Sequence, residues 1–547
     1  MTKFIYVQFI ILLGCVSFSF AETKEKAEDA RPIIRTIEFS GNKALTTDAL
    51  LKRITLHPGK RLVNDQLKFS IGVIESTYRD QGYYIAKASS QIHSVSSGTV
   101  DIAFTITEGD LYSFGDITIK GNKRITNKII MRELGVKKGD HFSQSKVFDG
   151  NRKLYMTGYF DTIEIHYSTM TTRVIDMTLI VKERATKFVK GGFGYGTESK
   201  ERVTLGYEDN NFLGNERRLD VSATHSGFIT SPSKYRTTIV QTTLTQPYFL
   251  NTPLEAQANV SREWDDRESY DSAATAFRAS LGRHFGKRIT SSLRYRYQAT
   301  RLSNVAPDAV IPAFSNSGTI GPAFVASNAA SPGFSNISAI GPTFTYDNTD
   351  DPFLPHNGWR IIGTAEEGMR LFFGDVRFHK LESRAGRFDT IFNGWTFFEG
   401  LQAGEIRPHS TSDRDIIPIY ERYFIGGANT VRGYNERELG PRDSFGVPTG
   451  GNAFIVGNLE LRHQIYKKLY GVTFVDGGQL YATPPGEVSP DIHARSIGDF
   501  LYGTGFGFRL HSPVGAIRLE FGYKLNPIGD KEFLNRTAIH FSLGEVF

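Results

Sequence analysis

Cysteine occurs once in 547 residues, at Cys15. It lies within an N-terminal stretch that reads as an export signal: Lys3 is the charged start, Phe4 to Leu13 is apolar, and Ser19-Phe20-Ala21 is a small-x-small cleavage site before Glu22. A lipobox is the rival reading of Leu12-Leu13-Gly14-Cys15, although Leu13 is large for its position. Removal of 1–21 leaves a chain without cysteine, which excludes disulfides and cysteine-ligated metals. After the leader, no apolar run approaches the roughly 20 residues that a membrane helix needs. Charge of one sign is scarce too. Lys and Arg number 64 against 58 Asp and Glu, and the net +6 supports no nucleic-acid partner. The phrases of common catalysts are missing: there is no HExxH, no Cys/His set and no GxSxG, and the glycines around 426–451 are not followed by GK[ST]. The chain therefore reads as a non-enzyme without cofactor or metal. Asp347, Asp350 and Asp351 lack the spacing of a calcium loop and read as a solvated strand end.

What is abundant points to β-structure. Aromatic residues make up 12% of the chain and glycines number 54, both high for a soluble protein of this size. From Phe188 onward helical periodicity stops. Ile289, Leu293, Tyr295 and Tyr297 alternate with Thr290, Ser292, Arg294 and Arg296. Ile517, Leu519, Phe521 and Tyr523 alternate with Arg518, Glu520, Gly522 and Lys524, and Ile539, Phe541 and Leu543 alternate with His540, Ser542 and Gly544. Large apolar residues opposite Arg, Glu and Lys suit a barrel wall, apolar toward lipid and polar toward the lumen. Such a wall escapes hydropathy scans, and the mean hydropathy is −0.28. About 360 residues at roughly 22 per strand and turn give about 16 strands, closed because an open edge in lipid leaves backbone groups unpaired. Ser303 to Gly341, with the short repeat FSNSGTIGPAF (314–324) and FSNISAIGPTF (334–344), reads as an extracellular loop up to the strand at Phe344. Pro484 to Asp499 reads as a second surface loop.

An internal repeat fills the N-terminal third. Ile37-Glu38-Phe39-Ser40-Gly41-Asn42-Lys43 matches Ile117-Thr118-Ile119-Lys120-Gly121-Asn122-Lys123; Gly59 matches Gly139; Gly82-Tyr83-Tyr84 matches Gly158-Tyr159-Phe160. Each unit reads strand, helix, helix, strand, strand. Expected helices run from Asp48 to Ile54 after a cap at Thr46 or Thr47, from Asn64 as cap through Tyr78, from Asn127 to Leu134 and from Ser143 to Met156. Expected hairpins pair Tyr84–His93 with Thr99–Glu108 and Phe160–Thr169 with Val174–Glu183. The G-N-x-x-x-[ST] start and the G-[YF] step resemble POTRA domains, at 33–109 and 112–184.

One loop carries the most information. Gly426-Gly427-Ala428-Asn429-Thr430-Val431-Arg432-Gly433-Tyr434, followed by NERELGPRD, has too many glycines and polar residues for a strand or a helix. The phrase GG-x3-VRGY-x5-GPRD resembles the signature loop of the outer-membrane assembly barrels, the superfamily of BamA and TamA. That resemblance implies a membrane β-barrel of about 16 antiparallel strands (187–547) preceded by two small α+β POTRA domains. It also implies a loop folded back into the lumen, with Arg432 meeting wall acids at the positions of Glu460 and Asp476. On the residues alone, Glu460 also reads as a hydrated lumen carboxylate and Asp476 as an Asp-Gly turn residue. Asp443 is a weaker candidate within the loop.

The same resemblance implies a lateral seam between the first strand (Lys187–Thr197, with Gly191, Gly192, Gly194 and Gly196) and the last (Arg536–Phe547, with Phe541, Leu543 and the terminal Phe547). Glycine in a strand packs little. The implied work is insertion or translocation of unfolded β-rich outer-membrane or secreted clients at the outer membrane. The POTRA domains would sit in the periplasm and guide clients by strand addition, in contact with membrane lipids and periplasmic accessory proteins, and with no nucleic acid. BamA-type chains usually have five POTRA domains and TamA-type three, so two leave the subclass open. A secretion pore of the two-partner type is the alternative, but ETKEKAEDA (22–30) is short and charged for its plug helix. A passive porin would not need POTRA domains.

Overall fold

The two N-terminal repeats fold alike because the same glycine makes the same turn in each. Gly41 (φ +80°) and Gly121 (φ +91°) follow the first strand of their repeats, and a Cβ on either would lie 2.1 Å from the carbonyl oxygen of Ile106 or Val181. The next residues, Asn42 and Asn122, donate from Nδ2 to the carbonyls of Leu45 and Ile125 at 3.0 and 2.8 Å. A computed structural model describes residues 31–543 apart from 97, 169–172, 228, 230–234, 306–332, 353, 393, 412–414, 443–444, 483–499, 513–514 and 528–533. The expected leader with Cys15, the segment 22–30, the 314–324 copy, Asp443, the expected loop 484–499 and Phe547 lie outside the described residues.

The chain divides into two units, 1–184 and 185–547. In the first, one repeat comprises β1 (Ile33–Ser40), α1 (Thr47–Leu51), α2 (Asn64–Asp80), β2 (Lys87–Ser96) and β3 (Thr99–Thr107); the other comprises β4 (Ser113–Lys120), α3 (Asn127–Leu134), α4 (Gln144–Met156), β5 (Phe160–Tyr167) and β6 (Val174–Glu183). The sheet orders are β1-β3-β2 and β4-β6-β5, each with one parallel and one antiparallel pair. Leu50, Ile74, Tyr78, Ile102 and Phe104 form the core of the first repeat, and Ile130, Leu134, Phe142, Leu154 and Leu179 that of the second. Thr46 caps α1, its side chain accepting from the Ala49 N–H at 3.3 Å. Asn64 is not a cap: it is the first residue of α2, after Val63 in extended conformation. The first hairpin starts later than alternation suggests, at Lys87, because Tyr84 packs its ring on Phe142 of the following repeat. On the edge strand β5, Ser168 donates its N–H to Asp176 at 2.9 Å, so even-numbered N–H groups face β6 and odd-numbered ones face outward. Ile163's outward N–H is taken by Tyr155 Oη at 3.1 Å.

The second unit is a closed barrel of sixteen antiparallel strands. They are β7 (Lys187–Gly196), β8 (Lys200–Asp209), β9 (Arg218–Ser226), β10 (Thr237–Gln246), β11 (Leu254–Asp266), β12 (Asp271–Phe285), β13 (Ile289–Ser303) and β14 (Gly333–Asp347). Then follow β15 (Gly358–Gly368), β16 (Phe378–Phe392), β17 (Trp395–Pro408), β18 (Ala453–Tyr466), β19 (Leu469–Tyr481), β20 (Leu501–Ser512), β21 (Gly515–Lys524) and β22 (Thr537–Leu543). Long connections, 304–332, 409–452 and 482–500 among them, share one end; the other end has turns such as 286–288 and 467–468. Val240, Val260, Leu293, Leu401, Val475 and Phe506 are exposed on different strands around the outer wall. An apolar belt of this extent fits lipid rather than water.

The lumen is not uniformly polar. Ile337 and Ala339 of β14, Phe378 of β16 and Ile406 of β17 share one buried cluster with Ile417, Ile425, Val431, Tyr434 and Leu439 of the 409–452 connection. This corrects the expectation that Ser303 to Gly341 is loop throughout: Gly333–Gly341 belongs to β14. Its inward Ile337 and Ala339 break the polar-in pattern because the loop fills the lumen beside them.

Candidate functional site

The 409–452 connection enters the lumen as an ordered structure with its own pairing. Tyr423 and Gly451 exchange N–H···O bonds of 2.8 and 2.9 Å, and Leu439 donates to Ile425 at 3.2 Å. At its tip the loop backbone lies directly on the barrel wall. Gly433 has φ +107°, open to glycine at little cost, and a Cβ there would stand 3.1 Å from the Tyr523 carbonyl. The wall is cleared to match. A Cβ on Gly503 would meet the Arg432 carbonyl oxygen at 1.9 Å, one on Gly522 the Gly433 nitrogen at 2.3 Å, and one on Gly478 the Val431 side chain at 2.7 Å. Tyr434 is buried and donates from Oη to the Asn526 carbonyl at 3.1 Å, with Lys524 Nζ over its ring. Gly426 and Gly427 also have positive φ, where the loop turns back against Asn435 and Glu198.

This docking delivers Arg432, 3% exposed, to three carboxylates. Its Nε and Nη2 donate to Asp476 Oδ2 and Oδ1 at 2.7 Å each, its backbone N–H donates to Asp476 at 3.0 Å, and its Nη1 donates to Glu460 at 2.6 Å. Glu520 stands 3.5 Å from Nη1, and the guanidinium lies 3.7 Å from the centroid of the Phe474 ring. Burial alone would lower the Arg432 pKa. The charge of Glu460, the hydrogen bonds and charge of Asp476, and then Glu520 overcome this, so the net shift is upward. The bidentate fork on Asp476 is the geometry only arginine supplies.

The network is wider than these residues. Arg462 and Arg509 both bind Glu460, at 2.7 and 2.9 Å, and Arg509 also binds Glu520 at 2.5 Å. Asn458 donates to both Asp476 (2.8 Å) and the Thr430 carbonyl (2.7 Å). Four arginines, with Arg518 4.0 Å from Glu520, thus share three buried acids. A second anchor lies on another part of the wall. Glu421 of the loop, 4% exposed at its side chain, accepts from Arg296 of β13 at 2.6 Å and from Lys380 of β16 at 3.3 Å. Tyr420 Oη bonds Ser335 Oγ at 2.9 Å.

Of the residues named from sequence, Arg432, Glu460 and Asp476 stand together. Glu520 was legible as a lumen-facing acid by alternation, but not as a partner of Arg432. Arg509 has the same kind of signal, being inward on β20. Glu421 and Glu198 lie in a loop and a turn, where no periodicity marks a direction.

The seam has its own geometry. β22 and β7 pair at Ser542–Gly196 and Leu543–Tyr195 alone among the described residues, with two further bonds between Thr197 and Phe541: the Thr197 N–H donates to the Phe541 carbonyl at 2.9 Å, and the Phe541 N–H donates to Thr197 Oγ1 at 3.4 Å. Every other junction has seven or more paired residues, β14–β15 and β21–β22 being the shortest. Gly191, Gly192 and Gly194 pair with β8 on one side, and on the other they have no strand partner among the described residues. Phe541 packs against Tyr195, ring centroids 5.9 Å apart. The loop reaches this seam. Glu198, in the β7–β8 turn, accepts from the Ala428 N–H at 2.5 Å and lies 3.5 Å from His540 Nδ1 of β22.

With this geometry in place, the comparisons with known proteins are direct. Residues 211–547 match the Omp85 superfamily domain, and residues 32–109 and 112–184 each match POTRA, described as a surface antigen variable number repeat. The chain is 25% identical over 535 residues to the outer membrane protein assembly factor BamA of Nitratidesulfovibrio vulgaris, covering 95% of this chain and 63% of that protein. It is 22% identical over 542 residues to the same-named factor of Neisseria meningitidis, covering 91% and 64%. The chain therefore spans about three-fifths of those relatives' length. The crystal structure of BamA from Haemophilus ducreyi lacking POTRA domains 1-3 superposes with a TM-score of 0.75 at 18% identity, over 94% of this chain and 99% of that one, a likeness of fold. A barrel with a loop docked in its lumen, behind two POTRA repeats and matched over most of its length, places this chain in the Omp85 superfamily.

Proposed function

We propose that this chain inserts unfolded β-rich clients into the outer membrane, working through the seam between β7 and β22 with its POTRA repeats in the periplasm. The two relatives described above are named for outer membrane protein assembly. The observation that carries the reading is the junction that closes the sixteen-strand barrel, which pairs two residues among the described ones. Each backbone hydrogen bond contributes about 0.5–1.5 kcal/mol net, and unpaired groups in lipid cost more. Over the described residues this junction is therefore the cheapest in the wall to part. Once parted, β7 offers an edge to which an incoming strand can add, satisfying the groups that parting exposes. Client folding supplies the driving force, with no nucleotide or metal. Arg432, Glu460 and Asp476 hold the loop in place while the seam works, and Glu198 links loop and seam.

The test is a reversible lock. Tyr195→Cys with Leu543→Cys places a cysteine pair at opposed positions of the seam. Oxidised, the reconstituted protein should lose insertion of an unfolded barrel client into liposomes; reduced, it should recover. Full insertion by the oxidised protein would overturn the lateral route.

A further inference from the structure

We propose that Glu367, His379 and His409 form a binding site for a borderline first-row divalent cation, of the zinc type, on the outer face of the barrel at its loop-bearing rim. The three side chains come from adjacent strands. Glu367 on β15 is directly opposite His379 on β16, and His379 is opposite Arg407 on β17. His409 follows two residues later, so it returns to the same face by the period of a strand. The sheet continues to hold it, through its N–H bonded to the Arg377 carbonyl at 3.2 Å.

The donor atoms are already neighbours in direct contact, and an ion would enter as the side chains rotate apart to share it. Glu367 Oε2 is 2.5 Å from His379 Nδ1, and Oε1 is 2.6 Å from His409 Nε2. One ligand atom from each of the three residues lies within 4.8 Å of the others, the one such group of three among the described residues. The imidazole rings stack with centroids 4.1 Å apart and planes at 22°. Two imidazoles with a carboxylate are a donor set that suits zinc and its neighbours.

The surroundings admit a cation. Arg407 is tied to Glu405 at 2.5 Å, and Arg370 and Arg377 are both tied to Asp415 at 2.8 and 2.9 Å, so each nearby guanidinium is held on a carboxylate other than Glu367. The side chains of Glu367, His379 and His409 are 38%, 60% and 26% exposed, so an ion reaches them without any opening of the barrel. Leu381, two residues inward on the same face as His379, is an exposed member of the apolar belt. The site therefore stands just beyond that belt, where water has access. Three strand ends would be braced by one ion, with remaining positions open to water or to an external ligand.

The experiment uses the untagged, folded full chain in detergent. Zinc binding is read by competition with a chromophoric chelator, and cobalt(II) substitution by its visible spectrum. One zinc per barrel is expected, with affinity reduced at least about tenfold in Glu367→Gln, His379→Ala and His409→Ala, and unchanged in His225→Ala on β9. Absence of saturable binding, or equal binding by the His379→Ala/His409→Ala double variant, would overturn the site. Should a variant lose its β-sheet circular dichroism, the wild-type cobalt spectrum decides. An intense four-coordinate band supports the site, and a weak spectrum like that of the aqueous ion overturns it.

Discussion

Replacing Arg432 with alanine removes three side-chain hydrogen bonds to two buried carboxylates and the stack on Phe474. The two acids are not affected equally. Glu460 keeps Arg462 and Arg509. Asp476, with no exposed surface, keeps only the residue-432 backbone N–H and Asn458 Nδ2 among these partners. Removing one member of a buried ion pair costs about 3–5 kcal/mol. Two surviving hydrogen bonds put this case at the lower end, about 3 kcal/mol, or about 100-fold in the docking equilibrium of the loop. The loss falls on the loop, because β10 to β13 share none of these partners. Hydrogen exchange read by mass spectrometry should show the amides around 426–439 exchanging about 100-fold faster in Arg432→Ala. Amides of β11 and β12 should keep the wild-type rate. Arg432→Lys should fall between, since lysine keeps the charge but cannot form the fork on Asp476. A change of less than about threefold in the loop would refute the assignment of loop docking to this network.

Glu421 should act as an independent anchor. It shares no partner with Arg432, so loop destabilisation by Glu421→Gln and Arg432→Ala should add to within about 0.5 kcal/mol in the double variant, as read by the same exchange experiment. Burial pushes the Glu421 pKa up, but Arg296 and then Lys380 pull harder and hold it at about 2, below the ordinary 4.5. Its contribution is therefore complete above pH 4.5 and lost as pH falls from there through about 2. Pepsin cleavage within 409–452 should rise across that window, and Glu421→Gln should shrink the rise. On the edge strand β5, Ile165→Pro removes an outward N–H while Ile165→Ala keeps it. If the POTRA sheets take clients by strand addition, the proline variant should lose client crosslinking while keeping its circular dichroism, and the alanine variant should retain most of it. Equal losses would assign recognition to side chains.

The order of elements was readable because it depends on local rules. Gly41 and Gly121 mark a turn that any chain with their spacing must make, and alternation from Phe188 onward announces a wall with two unlike faces. Period two also says that Glu460, Arg509 and Glu520 share the inner face. It does not say at what height each stands, and that is what makes them neighbours. Height follows from the register of every junction between them and from closure of the barrel, which brings residues of β7 and β22 together across nearly the whole unit. The outcome at 333–341 has the same origin. Ile337 and Ala339 read as loop because no local rule anticipates an apolar lumen, and the lumen is apolar there only because the distant 409–452 connection fills it. Strand alternation, the two repeats and the composition of the loop are thus properties of the chain in sequence. The Glu421 anchor, the clearance at Gly503 and Gly522, the seam between β7 and β22 and the proximity of Glu367, His379 and His409 belong to the closed barrel, since each needs backbone far apart in sequence to be held at a set distance.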